Sequence, residues 1–111
     1  MIDTAKEYIV CAAIHYNDGK EHVHQPINIK SGFVTLGLGH HYCVYLFSMI
    51  MQGIHNDAYY KLENECVFGF LTSRRRFVER EEAGQIAIAC GQIEKMEYFG
   101  GKKLDSSDLY K

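Results

Sequence analysis

Proline is almost missing from this chain: Pro26 is the single one in 111 residues, and tryptophan is absent altogether. Neither a stiff proline-rich linker nor a low-complexity tract divides the sequence, so residues 1–111 read as one domain with a radius of gyration of about 13 Å. No apolar run approaches the ~20 residues that span a bilayer; the longest covers residues 42–51. The N-terminus shows no basic region followed by an apolar stretch, so no secretory signal and a cytoplasmic location are expected. Cys11, Cys43, Cys66 and Cys90 stand singly, mostly within apolar segments, which suits reduced buried thiols better than disulfides. Lysine and arginine number 12 against 14 acidic residues, a net charge of −2. That balance argues against DNA binding or a general nucleic-acid coat, and any anion site must be local.

The usual catalytic signatures are absent as well. There is no Walker loop, no Gly-x-Gly-x-x-Gly and no Gly-x-Ser-x-Gly. The His-x-Glu and Pro-Cys-x-x-Cys pair of a nucleobase deaminase is also missing. Six histidines and four cysteines invite a zinc site, but His40 with Cys43, even joined by His22 and His24, lacks a second cysteine pair. Cys43 lies beside His40 and His41, yet a cysteine on the inner side of an apolar helix is usually packed rather than nucleophilic. No catalytic residue, metal or cofactor is assigned.

What remains is an irregular alternation of strand-like and helix-like segments, which favours an α+β fold: a small antiparallel sheet with two main helices. Residues 8–16 are rich in β-branched and aromatic side chains and end at the turn signal Asn17-Asp18-Gly19-Lys20. This strand is expected to be buried on both faces, with residues 21–25 pairing as its return strand and Pro26 ending it or placing it at a sheet edge. Residues 33–36 read as another strand, closed by Gly37-Leu38-Gly39. Next comes a helix from His40 to Met51, its expected inner stripe being Cys43, Leu46, Phe47, Ile50 and Ile54. Tyr42, Tyr45 and Met49, on the other side, are not polar either. A helix apolar all round must be covered all round, which predicts a subunit contact or a ligand there. Residues 53–65 read as a polar loop or short helix, and residues 66–71 as a strand. A helix is expected over residues 79–95, with Ala83, Ile86, Ala87, Cys90 and Ile93 inward and Glu82, Gln85 and Gln92 towards water. The tail would either dock through Leu109 and Tyr110 or be disordered.

The most informative stretch joins that last strand to that last helix: Thr72-Ser73-Arg74-Arg75-Arg76-Phe77-Val78-Glu79-Arg80. Arginines, hydroxyls and free N–H groups at one corner suit a phosphate. The competing reading is a solvated basic turn balanced by Glu79, Glu81 and Glu82. The glycine-flanked His40 and His41 begin a second strand-to-helix corner where N–H groups could cradle an anion. Phe77, Tyr42 and Tyr45 are candidates for stacking on a base.

The blocks Glu7-Tyr8-Ile9-Val10-Cys11-Ala12-Ala13-Ile14, His40-His41-Tyr42-Cys43, Gly69-Phe70-Leu71-Thr72 through Ala83, Gly91-Gln92-Ile93 and Leu104-Asp105-Ser106-Ser107-Asp108-Leu109-Tyr110 occur in this order over nearly the whole chain. In these blocks the chain resembles the first family of Thoeris anti-defence proteins, which phages deploy against a bacterial immune system. The resemblance implies a sponge, not an enzyme, acting in the cytoplasm of the infected host. Such proteins bind cyclic ADP-ribose isomers and hold them intact. Some also sequester cyclic di- or trinucleotides at separate sites. They assemble from dimers, in some cases into hexamers. Arginines four apart grip the phosphates, a spacing matched by Arg76 and Arg80, with Thr72, Ser73 and Arg74 as nearby donors and His40, His41 and Phe77 of second rank. This chain departs from the family at Leu38, where members carry an arginine. Its loop over residues 53–65 is also short, so no loop contact carries over. Two alternatives stay open: a small phosphoesterase or nucleotide hydrolase using histidines near the arginine corner, and a protein-binding inhibitor of a host factor.

Overall fold

Strand-forming residues lead in sequence and in space. The computed structural model describes residues 2–52 and 58–109. Its strands are β1 (Ile9–Tyr16), β2 (Phe33–Gly37), β3 (Cys66–Thr72) and β4 (Phe77–Glu79), and its helices α1 (His40–Met51), α2 (Ala58–Asn64), α3 (Arg80–Ala89), a 3₁₀ turn at Phe99–Gly101 and α4 (Ser106–Leu109). The four strands form one antiparallel sheet in the order β2-β1-β3-β4, so the fold is α+β.

The register sorts the side chains. Ala12, Ile14 and Tyr16 on β1 share a face with Thr35 on β2, Phe68 and Phe70 on β3 and Val78 on β4. This face carries the helices and the core, where Cys43 and Phe47 of α1, Leu62 of α2, Ala83 and Ala87 of α3 and Leu104 of the tail converge. The other face shows Ala13, His15, Leu36, Leu71 and Phe77.

That second face explains why residues 21–25 are not a strand. The partner of β1 is β2, and the intervening residues 17–32 pass across the second face instead. His15 Nε2 bonds the Ser31 carbonyl at 3.0 Å. Gln25 Oε1 accepts the Val34 N–H at the β2 edge. At the far edge, Asn28 brackets Phe77, its Oδ1 accepting the Phe77 N–H and its Nδ2 donating to the Phe77 carbonyl, both at 2.8 Å. Burial of β1 on both faces follows, apart from Val10 beside a register shift.

Two helix expectations need correction. In α1 the buried row is His40, Cys43, Phe47 and Met51, while Leu46 and Ile50 are exposed together with Tyr42, Tyr45 and Met49. A single row of side chains fits the seam, and the wider expected stripe does not. Ile54 and Tyr110 lie outside the described residues. Helix α3 stops at Ala89, short of residue 95, because Gly91 adopts φ 83°. The Gln92 N–H then reaches the Ala87 carbonyl and the Gly91 N–H the Ile88 carbonyl, the bonding of a Schellman ending. Gln92 consequently faces inward: its side chain accepts from Ile9 N at 2.8 Å and donates to Ile9 O at 2.7 Å. The tail does dock, with Leu104 fully buried and Leu109 partly so.

Gly69 is the closest approach in the sheet. A Cβ there would run into the Val78 carbonyl oxygen and lie 2.9 Å from Phe77 Cζ. The corresponding atom at Gly84 would meet only the flexible end of Met96. Gly69→Ala should therefore destabilise the fold by about 2 kcal/mol, as a backbone clash that cannot relax. Gly84→Ala should be near neutral, since the helix gain of ~1 kcal/mol offsets the displaced methionine. Urea unfolding of both variants compares them directly.

Candidate functional site

Residues Ser73, Arg74 and Arg75 form the tip of the β3–β4 hairpin. The Arg75 N–H bonds the Thr72 carbonyl and the Thr72 N–H bonds the Arg76 carbonyl, both at 2.9 Å. Arg75 lies in the left-handed region at φ 61°. This is the three-residue loop of a type I turn closed by a bulge residue. The arginine corner is therefore the end of a hairpin, and a three-residue strand separates it from the helix.

Thr72 and Ser73 are fully used inside the protein. The Thr72 hydroxyl, 1% exposed, donates to Glu7 and accepts the Arg74 and Arg76 backbone N–H groups. Ser73 exchanges bonds with Tyr8, its N–H reaching the Tyr8 carbonyl and its Oγ accepting the Tyr8 N–H.

Arg76 is clamped between carboxylates. Its Nε and Nη2 meet the two oxygens of Glu7 at 2.9 and 2.8 Å, and Nη2 also reaches Glu82 at 3.0 Å. The guanidinium of Arg76, helped by the Thr72 hydroxyl, pulls the Glu7 carboxyl down to about 2. Arg80 opens α3 and turns the other way. Its Nη1 donates to the Leu104 carbonyl at 2.8 Å, Asp105 lies 3.8 Å off, and its head sits 4.9 Å from the Phe99 ring centre and 5.9 Å from that of Phe68. Leu104 N–H returns a bond to the Arg80 carbonyl. Four positions along extended chain separate Arg76 from Arg80 by roughly 13 Å. Each already has its own partner.

The other sequence candidates divide cleanly. Phe77 is buried against the His15 ring, out of reach of a stacking base. His41 is exposed and lies against Tyr42, with ring centres 4.1 Å apart. His40 is buried: Nε2–H donates to the Gly69 carbonyl at 2.8 Å, while Nδ1 has no partner among the described residues. Burial, reinforced by the nearby charge of Arg80, pushes His40 down to about 4. That leaves Arg74 and Arg75, both exposed and with no side-chain hydrogen bond or ion pair among the described residues, though the charge of Arg74 also acts on Glu7. Sequence reasoning had undervalued Arg75, whose signal was a long cation at a bulge position normally suited to glycine.

A groove of about 720 Å³ opens along β3 beyond the end of β4, with Glu79, Glu81 and Glu82 against Arg80 and Lys103. Three carboxylates make it a poor seat for a phosphate. Among the described residues no group of three or more His, Cys, Asp or Glu side chains is arranged to hold a metal, and no helix is long and apolar enough to cross a membrane.

Residues 8–110 match the family model described as the phage T4 y16D protein. The chain belongs to that phage protein family. No curated protein and no solved structure matches it. The match spans β1 to the tail, so the hairpin, Arg76, Arg80 and α1 lie within the family's span, and Glu7, the partner of Arg76, just precedes it.

Unfolded, His40 would hold a proton below about 6.5, but the folded site resists protonation to about 4. Stability should therefore be untouched above pH 6.5 and fall by about 2–3 kcal/mol as pH drops to 4. Glu7 adds a second loss between about 4.5 and 2, since its folded carboxylate stays charged while the unfolded one protonates. His40→Gln keeps a donor and cannot titrate, so it should flatten the upper slope and leave the lower one. Thermal melts across pH 2–8 read both.

Proposed function

We propose that this phage protein sequesters a cyclic nucleotide signal of the cyclic ADP-ribose type and releases it unaltered, as a Thoeris anti-defence sponge does. The observation that carries this reading is the division of the arginines. Arg76 and Arg80 are held internally, whereas Arg74 and Arg75 project from the hairpin tip with no side-chain hydrogen bond or ion pair among the described residues, Arg74 adding only its charge to the field on Glu7. Exposed guanidiniums on such a turn suit bidentate capture of phosphate. Binding of this kind needs no nucleophile or base. Two phosphates gripped by arginines with one base held flat would supply nanomolar affinity, about −12 kcal/mol.

The exposed apolar face of α1 supports a homo-oligomer. Tyr42, Tyr45, Leu46, Met49 and Ile50 lie on the surface of a helix with no Asp, Glu, Lys or Arg. Such a face can meet its own copy across a twofold axis without opposing like charges.

Calorimetric titration with cyclic ADP-ribose isomers and cyclic di- and trinucleotides, followed by heat release and chromatography, tests the sponge. The expected result is micromolar or tighter binding of one isomer, full recovery, and at least a tenfold loss in an Arg74→Ala/Arg75→Ala variant. Turnover of the ligand would instead make the protein a hydrolase, and silence across the panel would remove the reading. For the subunit contact, light scattering should find an oligomer that Tyr45→Glu reduces to monomers. A wild-type monomer at 100 μM would contradict it.

A further inference from the structure

Two non-glycine residues in the left-handed region lie next to each other in space, His24 and Arg75, each at φ 61°. Arg75 fills the bulge position of the hairpin, where glycine would be relaxed and an L side chain is disfavoured. Its carbonyl accepts the Ile27 N–H at 2.8 Å, which holds the turn containing His24 against the hairpin tip. Between them is a recess of about 200 Å³ on the sheet face opposite the helices. Val34, Leu36 and Leu71 form its floor, with His24 and Arg75 at its rim. Both rim side chains are exposed and unpartnered among the described residues. Left-handed strain retained for a long cation, at a place where glycine would relieve it, points to a use for that cation.

We propose that this recess binds one nucleoside monophosphate unit, the base flat on the aliphatic floor and the phosphate between the Arg75 guanidinium and the His24 imidazole. The proposal rests on the phosphate-gripping reading of the hairpin and assigns its subsite. The chemistry is complementary at both ends. Guanidinium takes phosphate bidentately, imidazole adds a donor, and a planar ring covers aliphatic side chains that would otherwise stay wet. The recess is smaller than the 300–1,000 Å³ typical of sites for drug-sized ligands, so it takes a single ring and leaves the phosphate at the rim.

Titrating AMP, adenosine and inorganic phosphate into wild-type protein and the Arg75→Gly variant, with melting curves of both, decides the matter. AMP should bind at least tenfold more tightly than adenosine or phosphate alone. Arg75→Gly should lose at least tenfold in AMP affinity while its Tm stays level or rises by up to ~4 °C, since glycine suits the left-handed position. Undiminished AMP binding by Arg75→Gly, or AMP no better than phosphate, would overturn the assignment. So would a variant melting well below wild type, because the strain would then not exist. The sponge is judged separately. Binding of AMP without binding of any cyclic ADP-ribose isomer would remove the sponge and keep the recess. Cyclic ADP-ribose held equally by both proteins would remove the recess and keep the sponge.

Discussion

A single carboxylate organises the arginine-rich end of the molecule. Glu7, ahead of the first strand, accepts from the Thr72 hydroxyl and from two nitrogens of Arg76, and is held deprotonated far below the usual range. Through Thr72 it fixes the residue whose hydroxyl and carbonyl shape the hairpin tip. Through Arg76, which also reaches Glu82, it ties the hairpin to the first turn of α3. Three elements remote in sequence thus share one charge-assisted network. Breaking one partner would leave charge half-buried and unpaired, so the network acts as a unit. Its function is indirect: it immobilises the platform from which Arg74 and Arg75 project.

Side-chain amides perform a parallel service for the sheet. A four-stranded sheet has two edges, and an open edge is a template for unwanted pairing. Asn28 brackets Phe77 on β4, Gln25 occupies the Val34 N–H on β2, and Gln92 brackets Ile9 at the start of β1. Each amide offers an acceptor and a donor much as a neighbouring strand would. Two of the three come from the segment crossing the second sheet face. The same segment that closes the edges therefore also builds the wall of the His24–Arg75 recess.

How much of this was legible in the sequence depends on the range of the forces involved. Strands β1, β2 and β3 and the start of α1 follow from β-branched runs, turn residues and glycines, all local signals, and they fall where expected. Residues 21–25 failed because their alternation is weak and the decisive contacts, His15 with Ser31 and Asn28 with Phe77, are made across the sheet. The end of α3 was misplaced for a different reason. The helix expected over residues 79–95 runs through Gly91, whose positive φ makes it the stop. Leu46 and Ile50, expected inward, lie outside because an apolar helix with no charged residue gives no polar face from which to infer its rotation.

The arginine spacing shows the same limit at the candidate site. Arginines four apart on a helix lie one turn apart and can grip one phosphate together. The same spacing along a strand places them roughly 13 Å apart, facing different neighbours. Here β4 intervenes, so Arg76 and Arg80 become anchors, one for the N-terminal segment and one for the tail. Cations held in this way no longer attract a ligand strongly, because their carboxylates already cancel most of the field. With a net charge of −2, the positive potential left for a ligand is then greatest where a guanidinium is not hydrogen-bonded to a carboxylate. At the hairpin tip the guanidiniums of Arg74 and Arg75 remain exposed, and the aliphatic floor beside Arg75 can bury a ring. A soluble anion with a flat base, the ligand proposed above, would use both features at once, whereas a bare polyanion would use only the first.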